Sequence, residues 1–447
     1  MKSVLVVGGG VAGLVAGCTV AAAGGHRVDV LEAQDVAGGK AASWRDASGL
    51  LVEAGLHVCF PHYRHFLGEM TRLGAMSSVL WDKPSLSYVA PGGHVAHLRF
   101  PRLPPPLNGA VAIARHRQLS ALERMSALAG ATEATLSTAA WRHRYESVSF
   151  TDWARRRGLS RGLRDKVLEP LVRGLTFLDS DRVSARAMLD YIHAVGRRTA
   201  HFRVGLFRDG SGPSIIEPLV ADLRRHGGEL HLAARVRTPL LRDGRVRGVQ
   251  MIDGSTRSAD AVILAVPAHA LQELLPCQLG EHPVLQRAMR LRCVPVASVI
   301  VQFDRRVGGP AGVRLSAGCV FNTWIDQTDV LRELAGSRRS VLQFVVAPLD
   351  DESLLDDGEL ASRVIADVRR LLPSACEARV ERTCVTRTPL SFHAVVPGAE
   401  ALRPGVEPGV PGLFLAGDYV RTGSNPNLES ATCAGLAAAR CALGASA

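Results

Sequence analysis

The chain has no C-x-x-C pair among its nine cysteines, which stand singly from Cys18 to Cys441. Paired metal-binding or redox thiols are therefore not expected. An odd count without an export signal points to buried thiols in a reducing, cytoplasmic setting. H-E-x-x-H, G-x-S-x-G and Walker motifs are missing too, which argues against zinc hydrolases, serine hydrolases and P-loop enzymes. Apart from a glycine-rich start, no clean apolar run is long enough to span a bilayer. That start has only Lys2 as an upstream charge and lacks the cleavage region of a signal peptide. No internal repeat or low-complexity block is present. Lysine is scarce (Lys2, Lys40, Lys83 and Lys166), so the formal charge of +11 is an arginine charge. Residues 141–208 hold 15 Arg or Lys against seven Asp or Glu. No nucleic-acid motif accompanies them, so nucleic acid is not an expected partner. An anionic membrane surface and a solvated arginine face are the two readings left. His57, His62 and His65 cluster, but no Cys or acidic ligand stands at a known metal spacing, so no metal is expected.

What is present begins at once. Residues 4–7 are a short β-branched apolar run, followed by Gly8, Gly10 and Gly13 at G-x-G-x-x-G spacing. A helix-forming run follows, with Ala12 in its first turn, and ends at Gly24-Gly25. A second apolar run, residues 28–31, delivers Glu32 and Ala33. The glycines serve a tight turn, the close approach of a pyrophosphate, and helix-on-strand packing. The phosphates would lie at the helix N-terminus, where free N–H groups and the helix dipole favour negative charge. Glu32, 19 positions after Gly13, stands where a carboxylate takes ribose hydroxyls. Strand, turn, helix, strand and acid in this order specify a dinucleotide site. Gly38-Gly39-Lys40 then closes a second phosphate-facing turn, which a plain NAD site does not need.

A length of 447 residues suggests two domains, which could be interleaved. Residues 43–55 read as a hairpin turning at 46–49 and ending in Glu53-Ala54-Gly55-Leu56-His57. Residues 86–204 read as mostly helical, and the proline-rich stretch 101–106 as irregular. Residues 229–237 alternate like one strand, with 245–252 as its hairpin partner. Residues 259–267 form a buried strand stopping at proline. Strands are expected at 297–304 and 340–347, and a helix over 357–372. Near the C-terminus a strand at 413–416 delivers Gly417-Asp418, and a Gly/Ala-rich helix begins near Leu428. Asp418 at the strand end can accept from ribityl hydroxyls, and the Leu428-Glu429 helix start can present N–H groups to a flavin edge.

The order G-x-G-x-x-G, acid, GG plus a basic residue resembles the flavoprotein superfamily of amine oxidases and carotenoid desaturases. The run DVAGGKAASWRDASGLLVEAGLHVCFPHYRHFLGEMTRLG is similar to the stretch of plant and cyanobacterial phytoene and ζ-carotene desaturases that leads from the flavin turn into the substrate region. FPRLPPPLNG resembles their proline-rich segment, and the likeness continues through Gly227-Gly228-Glu229 to GLFLAGDYVRTGSNPNLESATCAGLAAARC. The resemblance implies an α/β fold in which a Rossmann-like FAD-binding domain (1–85, 205–275 and 385–447) is interleaved with a mixed α+β substrate domain (86–204 and 276–384). It implies FAD held by Gly8, Gly10, Ala12, Gly13, Glu32, Ala33, Gly38, Gly39, Lys40, Gly55, Leu56, His57, Val236 (through its backbone), Gly417, Asp418 and Leu428.

The implied chemistry is desaturation of a long isoprenoid such as phytoene or ζ-carotene: an allylic hydride passes to flavin N5 and a neighbouring proton leaves. A hydrocarbon offers no polar handles, so its binding would rest on apolar burial. Glu429 and His57 are the candidates for catalytic groups near the ring. Quinone or oxygen is the implied acceptor, with peripheral association at the cytoplasmic membrane face. Ser214 stands where the plant enzymes carry an Arg at the substrate and quinone end of the site. The alternatives on this scaffold are a squalene-type alcohol dehydroxylase, a carotenoid isomerase or methyl-shifting enzyme, and an amine oxidase. The last would need an aromatic cage, which a 5% aromatic content disfavours.

Overall fold

A five-stranded parallel sheet forms around the N-terminus in the computed structural model, which describes residues 1–83, 85–104, 106–196, 202–308 and 312–445. Its strands are β1 (Lys2–Val7), β2 (His26–Leu31), β3 (Glu229–His231), β4 (Ala261–Leu264) and β5 (Leu413–Leu415), in spatial order β5-β4-β1-β2-β3. All four pairings are parallel, with Val4 beside Val28 on one side and Ala261 on the other. A parallel sheet covered on both faces needs continuous apolar strands. Val4, Leu5 and Val6 are fully buried accordingly.

Helix α1 (Val11–Ala22) crosses from β1 to β2, and the C-terminal helix α3 (Leu428–Ala445) packs on it. Small residues bring the two together. A Cβ on Gly435 would lie 2.4 Å from the Ala12 carbonyl oxygen, and one on Gly17 would lie 2.8 Å from Val30 Cγ2.

The second layer is a seven-stranded mixed sheet in the order Val380–Thr388, Val296–Phe303, Ser340–Val346, Thr323–Asp326, Arg314–Leu315, Ser85–Ala90, His94–Arg99. The helix Asp357–Leu371 covers it. Asp356 and Glu359 form a capping box at its start, and Leu360, Val364, Val368 and Leu371 fall on one buried face. They join Val299, Val301, Trp324 and Phe344 in one apolar core. A shorter antiparallel sheet, Val236–Arg242, Arg245–Met251 and Thr256–Ser258, lies beside the parallel one.

The strands expected at 297–304 and 340–347, the helix over 357–372, the strand at 413–416 and the C-terminal helix all form within a residue or two. The hairpin at 43–55 pairs Ser43–Arg45 with Leu51–Glu53, and the Asp46 carboxylate accepts from Ser48 and Leu50 N–H to close its turn.

Two expectations are corrected. Residues 229–237 are not one strand: Glu229–His231 ends the parallel sheet, and Val236 begins the antiparallel one. Between them Ala233 adopts φ 51°, and the Ala233 and Ala234 N–H groups donate to the Gln34 and Glu32 carbonyls. Apolar/polar alternation continues through this turn, so periodicity does not register it. The region 86–204 is also not all helical from its start. Ser85–Ala90 and His94–Arg99 form a hairpin at the edge of the large sheet, turning through Gly92 and Gly93 at φ 79° and 80°. In the stretch 101–106 the described residues are irregular, and Pro105 lies outside the described set. Short helices then dominate from Leu107 to Gly196. Among the described residues, no helix is long and apolar enough to cross a membrane.

Candidate functional site: a cradle between two glycine turns and a C-terminal loop

The first turn leaves the sheet at Gly8, whose φ of 110° and neighbour exclude a side chain: a Cβ would sit 2.4 Å from the Ala265 carbonyl oxygen. At Gly13 a Cβ would fall 1.9 Å from the Gly8 carbonyl oxygen, so the start of α1 lies against the turn. Gly10 differs. The only atom near its missing Cβ is the Gly38 carbonyl oxygen at 3.8 Å, which leaves this flank open at the helix N-terminus. The second turn docks on the first: Gly38 N–H donates to the Gly9 carbonyl at 2.8 Å, and Gly10 and Gly38 form an isolated parallel bridge. Gly39 follows at φ 56° and is exposed.

Glu32 is brought to the same place. Its Oε2 accepts from Gly9 N–H at 2.7 Å and its Oε1 from Gln34 N–H at 2.9 Å, which leaves lone pairs on both oxygens. Ala33 is exposed beside it. Ala12 is buried inside α1, and Val236 is buried at the start of the strand that follows the Ala234–Glu32 contact.

At the far end of the cradle, Lys40 Nζ meets Asp418 Oδ2 at 2.6 Å. Gly417 precedes Asp418 at φ 139°, where a Cβ would touch the Tyr419 ring at 2.9 Å. Burial pushes the Asp418 carboxyl up. Lys40 opposes this most strongly, with help from His393 and Arg403, and the group stays below the usual carboxylate range. Three imidazoles surround the pair. Burial lowers His57 to about 4, and Lys40 adds to the effect. Burial, then Arg403, lowers His393 to about 3. His269 is lowered by burial and by Lys40. All three are neutral at neutral pH. His57 donates from Nδ1 to the Gly55 carbonyl at 2.9 Å, with Leu56 packed into the apolar core between them in sequence.

Motif reading missed two residues here. Arg403, 3% exposed, donates to the carbonyls of Asp418, Tyr419, Val420 and Ser424 and to the Glu400 carboxylate. It thereby folds the loop that presents Asp418. No local pattern marks it, because most of its acceptors are backbone oxygens 15 to 21 positions away. His393 is 2% exposed and has no hydrogen-bond partner at either ring nitrogen.

The Glu429 carboxylate, a candidate for a catalytic group, is engaged by the start of a neighbouring helix. Its Oε1 accepts from the N–H and Nδ1 of His65, and its Oε2 from Phe66 N–H. These are the first residues of helix α2 (Arg64–Arg72), whose preceding Tyr63 offers no side-chain cap. The carboxylate therefore caps α2 and docks it onto α3, next to the buried Leu428. His57 and His62 do not join His65 in a ligand set. Ser214 lies buried in the π-helical turn Gly212–Ile216, its hydroxyl without a partner. That turn is held to the hairpin by Gly212 N–H on Ser43 Oγ and by Ser211 on Glu53, a buried carboxyl raised by its burial.

The residues fit a flavin dinucleotide by what they leave over. Gly10 borders open space, Glu32 keeps free lone pairs, and His393 and the buried Tyr419 hydroxyl lack protein partners. Buried polar groups without partners are rare in a finished core and common where a ligand completes them.

Fold and cradle together define a dinucleotide-binding α/β oxidoreductase. Residues 11–443 match the model of the flavin containing amine oxidoreductases, and the chain belongs to that family. It is 29% identical over 444 residues to the 15-cis-phytoene desaturase of Capsicum annuum, covering 97% of this chain and 76% of that protein. It is 29% identical over 481 residues to a probable zeta-carotene desaturase of Synechococcus elongatus, covering 99% of both. Among solved structures it is similar to an oxidoreductase from Methanosarcina mazei, with a TM-score of 0.76 and 19% identity over 97% of this chain and 99% of that one. The chain is a flavin-dependent oxidoreductase.

Proposed function

We propose that this protein binds FAD and desaturates a long isoprenoid, of the phytoene or ζ-carotene class, at an allylic C–H. The supporting observation is the end-to-end likeness to desaturases of both substrates, joined to a cradle whose imidazoles are all neutral. Gly8, Gly10, Gly13, Gly38 and Gly39 would line the pyrophosphate, Glu32 the adenosine ribose, and Lys40 and Asp418 the middle of the cofactor. When bound, FAD supplies a two-electron acceptor for a hydride from carbon. The protein's part is positioning and the exclusion of water. Arg403 holds the Asp418 loop, and Glu429 holds α2 over the start of α3. His57 and His393, neutral, place no extra charge beside an apolar substrate. His393 keeps unpartnered ring nitrogens that a bound cofactor would complete.

Delivery from a membrane agrees with the surface of the helix Ala121–Leu136. Leu122 is 78% and Met125 66% exposed there, with Leu128 and Leu136 also outward. Leu103 and Leu107 are also exposed, as are Arg102, Arg115 and Arg117 in the segment that precedes this helix. Exposed apolar side chains together with exposed arginines suit the interface of an anionic bilayer.

The test is anaerobic. Holoenzyme in liposomes is mixed with phytoene or ζ-carotene while flavin absorbance is followed. Bleaching by one polyene, with a product two hydrogens lighter, is the expected result. No bleaching by either overturns the carotene assignment, and turnover only with pre-reduced flavin and no mass change points to isomerisation instead.

A further inference from the structure

Helices α2 and α3 meet at a second cluster that the cofactor reading leaves unused. His65 lies in the first turn of α2, while Glu429 and Cys433 stand one turn apart on the same face of α3. His65 Nδ1 lies 2.9 Å from Glu429 Oε1 and 3.1 Å from Cys433 Sγ, and Sγ lies 3.8 Å from Oε1. Ligand atoms bound at about 2.0–2.3 Å around one tetrahedral centre lie roughly 3.3–3.5 Å apart, so the two edges at Nδ1 are a little short and the Sγ–Oε1 edge a little long. Movement of a few tenths of an ångström would open the triangle, and the His65 side chain, 53% exposed, has room to withdraw. One imidazole, one carboxylate and one thiolate are a donor set for a borderline-soft divalent ion. The two anionic donors would balance its charge.

We propose that His65, Glu429 and Cys433 form a zinc site with a fourth, solvent-facing position, which pins α2 to α3. Zinc binding breaks the Cys433 S–H bond, releases that proton to solvent and forms a Zn–S bond. The His65 proton moves to Nε2 so that Nδ1 can donate its lone pair. Glu429 keeps its bond to Phe66 N–H through Oε2 and offers Oε1 to the metal. The assignment does not depend on which substrate the flavin oxidises.

A second group of candidate ligands, Asp29, Glu229 and His231, serves as the control. There Asp29 is already paired with Arg27 at 3.3 Å, which weakens it as a cation ligand.

The experiment titrates metal-stripped, FAD-loaded full-length protein with Co²⁺ as a spectroscopic probe and with Zn²⁺ in competition. One equivalent of Co²⁺ with a thiolate-to-cobalt charge-transfer band, displaced by one equivalent of Zn²⁺, is expected. Loss of an outer-shell partner alone costs a metal site about 10–100-fold in affinity, so removing a direct ligand should cost more than about 100-fold. Cys433→Ser should abolish the band, and His65→Asn should weaken binding by at least that factor. His231→Asn should change neither. A wild-type cobalt complex without a thiolate band overturns the proposal without recourse to any variant. So does binding that survives Cys433→Ser, or binding that disappears with His231→Asn.

Discussion

Around the Lys40–Asp418 pair the protein buries ions, imidazoles and bare backbone, whereas under the helix Asp357–Leu371 it buries Leu, Val and Phe. The cradle is held by a few directional bonds between distant segments. Lys40 reaches across 378 positions to Asp418, and Ser211 reaches across 158 to Glu53. The sheet and its helix are held by many weak contacts, none of which is indispensable. The difference teaches where each region is fragile. A polar cradle fails when one partner is lost, because the group left behind is buried and uncompensated. An apolar interface loses stability roughly in proportion to the volume removed.

Substitutions should separate the two behaviours. The largest effect is expected from Gly13→Val, which places carbon against the Gly8 carbonyl oxygen. Flavin should be absent from the purified protein, and soluble yield should collapse. Arg403→Met comes next, removing a donor from Glu400 and from four carbonyls, of which, among the described residues, only that of Asp418 keeps another, the Ser430 hydroxyl. A loss of about 3–5 kcal/mol is expected in denaturant titration, together with loss of bound flavin. Leu360→Ala, fully buried in the apolar interface, should cost about 2–5 kcal/mol by the same measurement, yet leave the flavin spectrum of the folded protein unchanged. If Arg403→Met kept its flavin while Leu360→Ala lost it, the contrast between the regions would be wrong.

Acid should act on the imidazoles that are buried uncharged, those of the cradle and His116, which burial lowers to about 4. His57 and His393 titrate near 4 and 3 in the folded protein and near 6.5 when unfolded. Between these values the unfolded chain binds more protons, so stability rises with pH and is lost as pH falls from about 6.5 towards 4. Thermal melts of the flavin-free protein across that window should show the loss, and His393→Phe should flatten it. The smallest effect on stability belongs to Leu122→Ser with Met125→Ser. Both positions are exposed, so stability should stay within about 0.5 kcal/mol, while co-sedimentation with anionic vesicles weakens.

Much of the cradle was legible because its signals are local. The glycine turn, Glu32 and the second turn lie within 33 residues, and their spacing marks them even though Gly8 answers to a contact with the distant Ala265. The strands at Val296–Phe303 and Ser340–Val346 and the helix between Asp356 and Leu371 were equally plain, since period and capping are short-range properties. The edge hairpin at 85–99 was lost among helices despite its Pro91-Gly92-Gly93 turn, and the Ala233 turn lacks any glycine to announce it.

The amino-acid sequence by itself determined that this protein would carry a dinucleotide cradle on a parallel sheet. Those features rest on backbone conformation and on residues close in the chain. Only the tertiary structure decided the employment of the charged and titratable groups. It turned Glu429 into the cap of α2 and Arg403 into the clamp of the Asp418 loop. It left His393 without a partner and set Cys433 beside His65. Charges and hydrogen-bond donors act over a few ångströms in space, and which of them come that close is settled by packing between segments from some fifteen to several hundred residues apart.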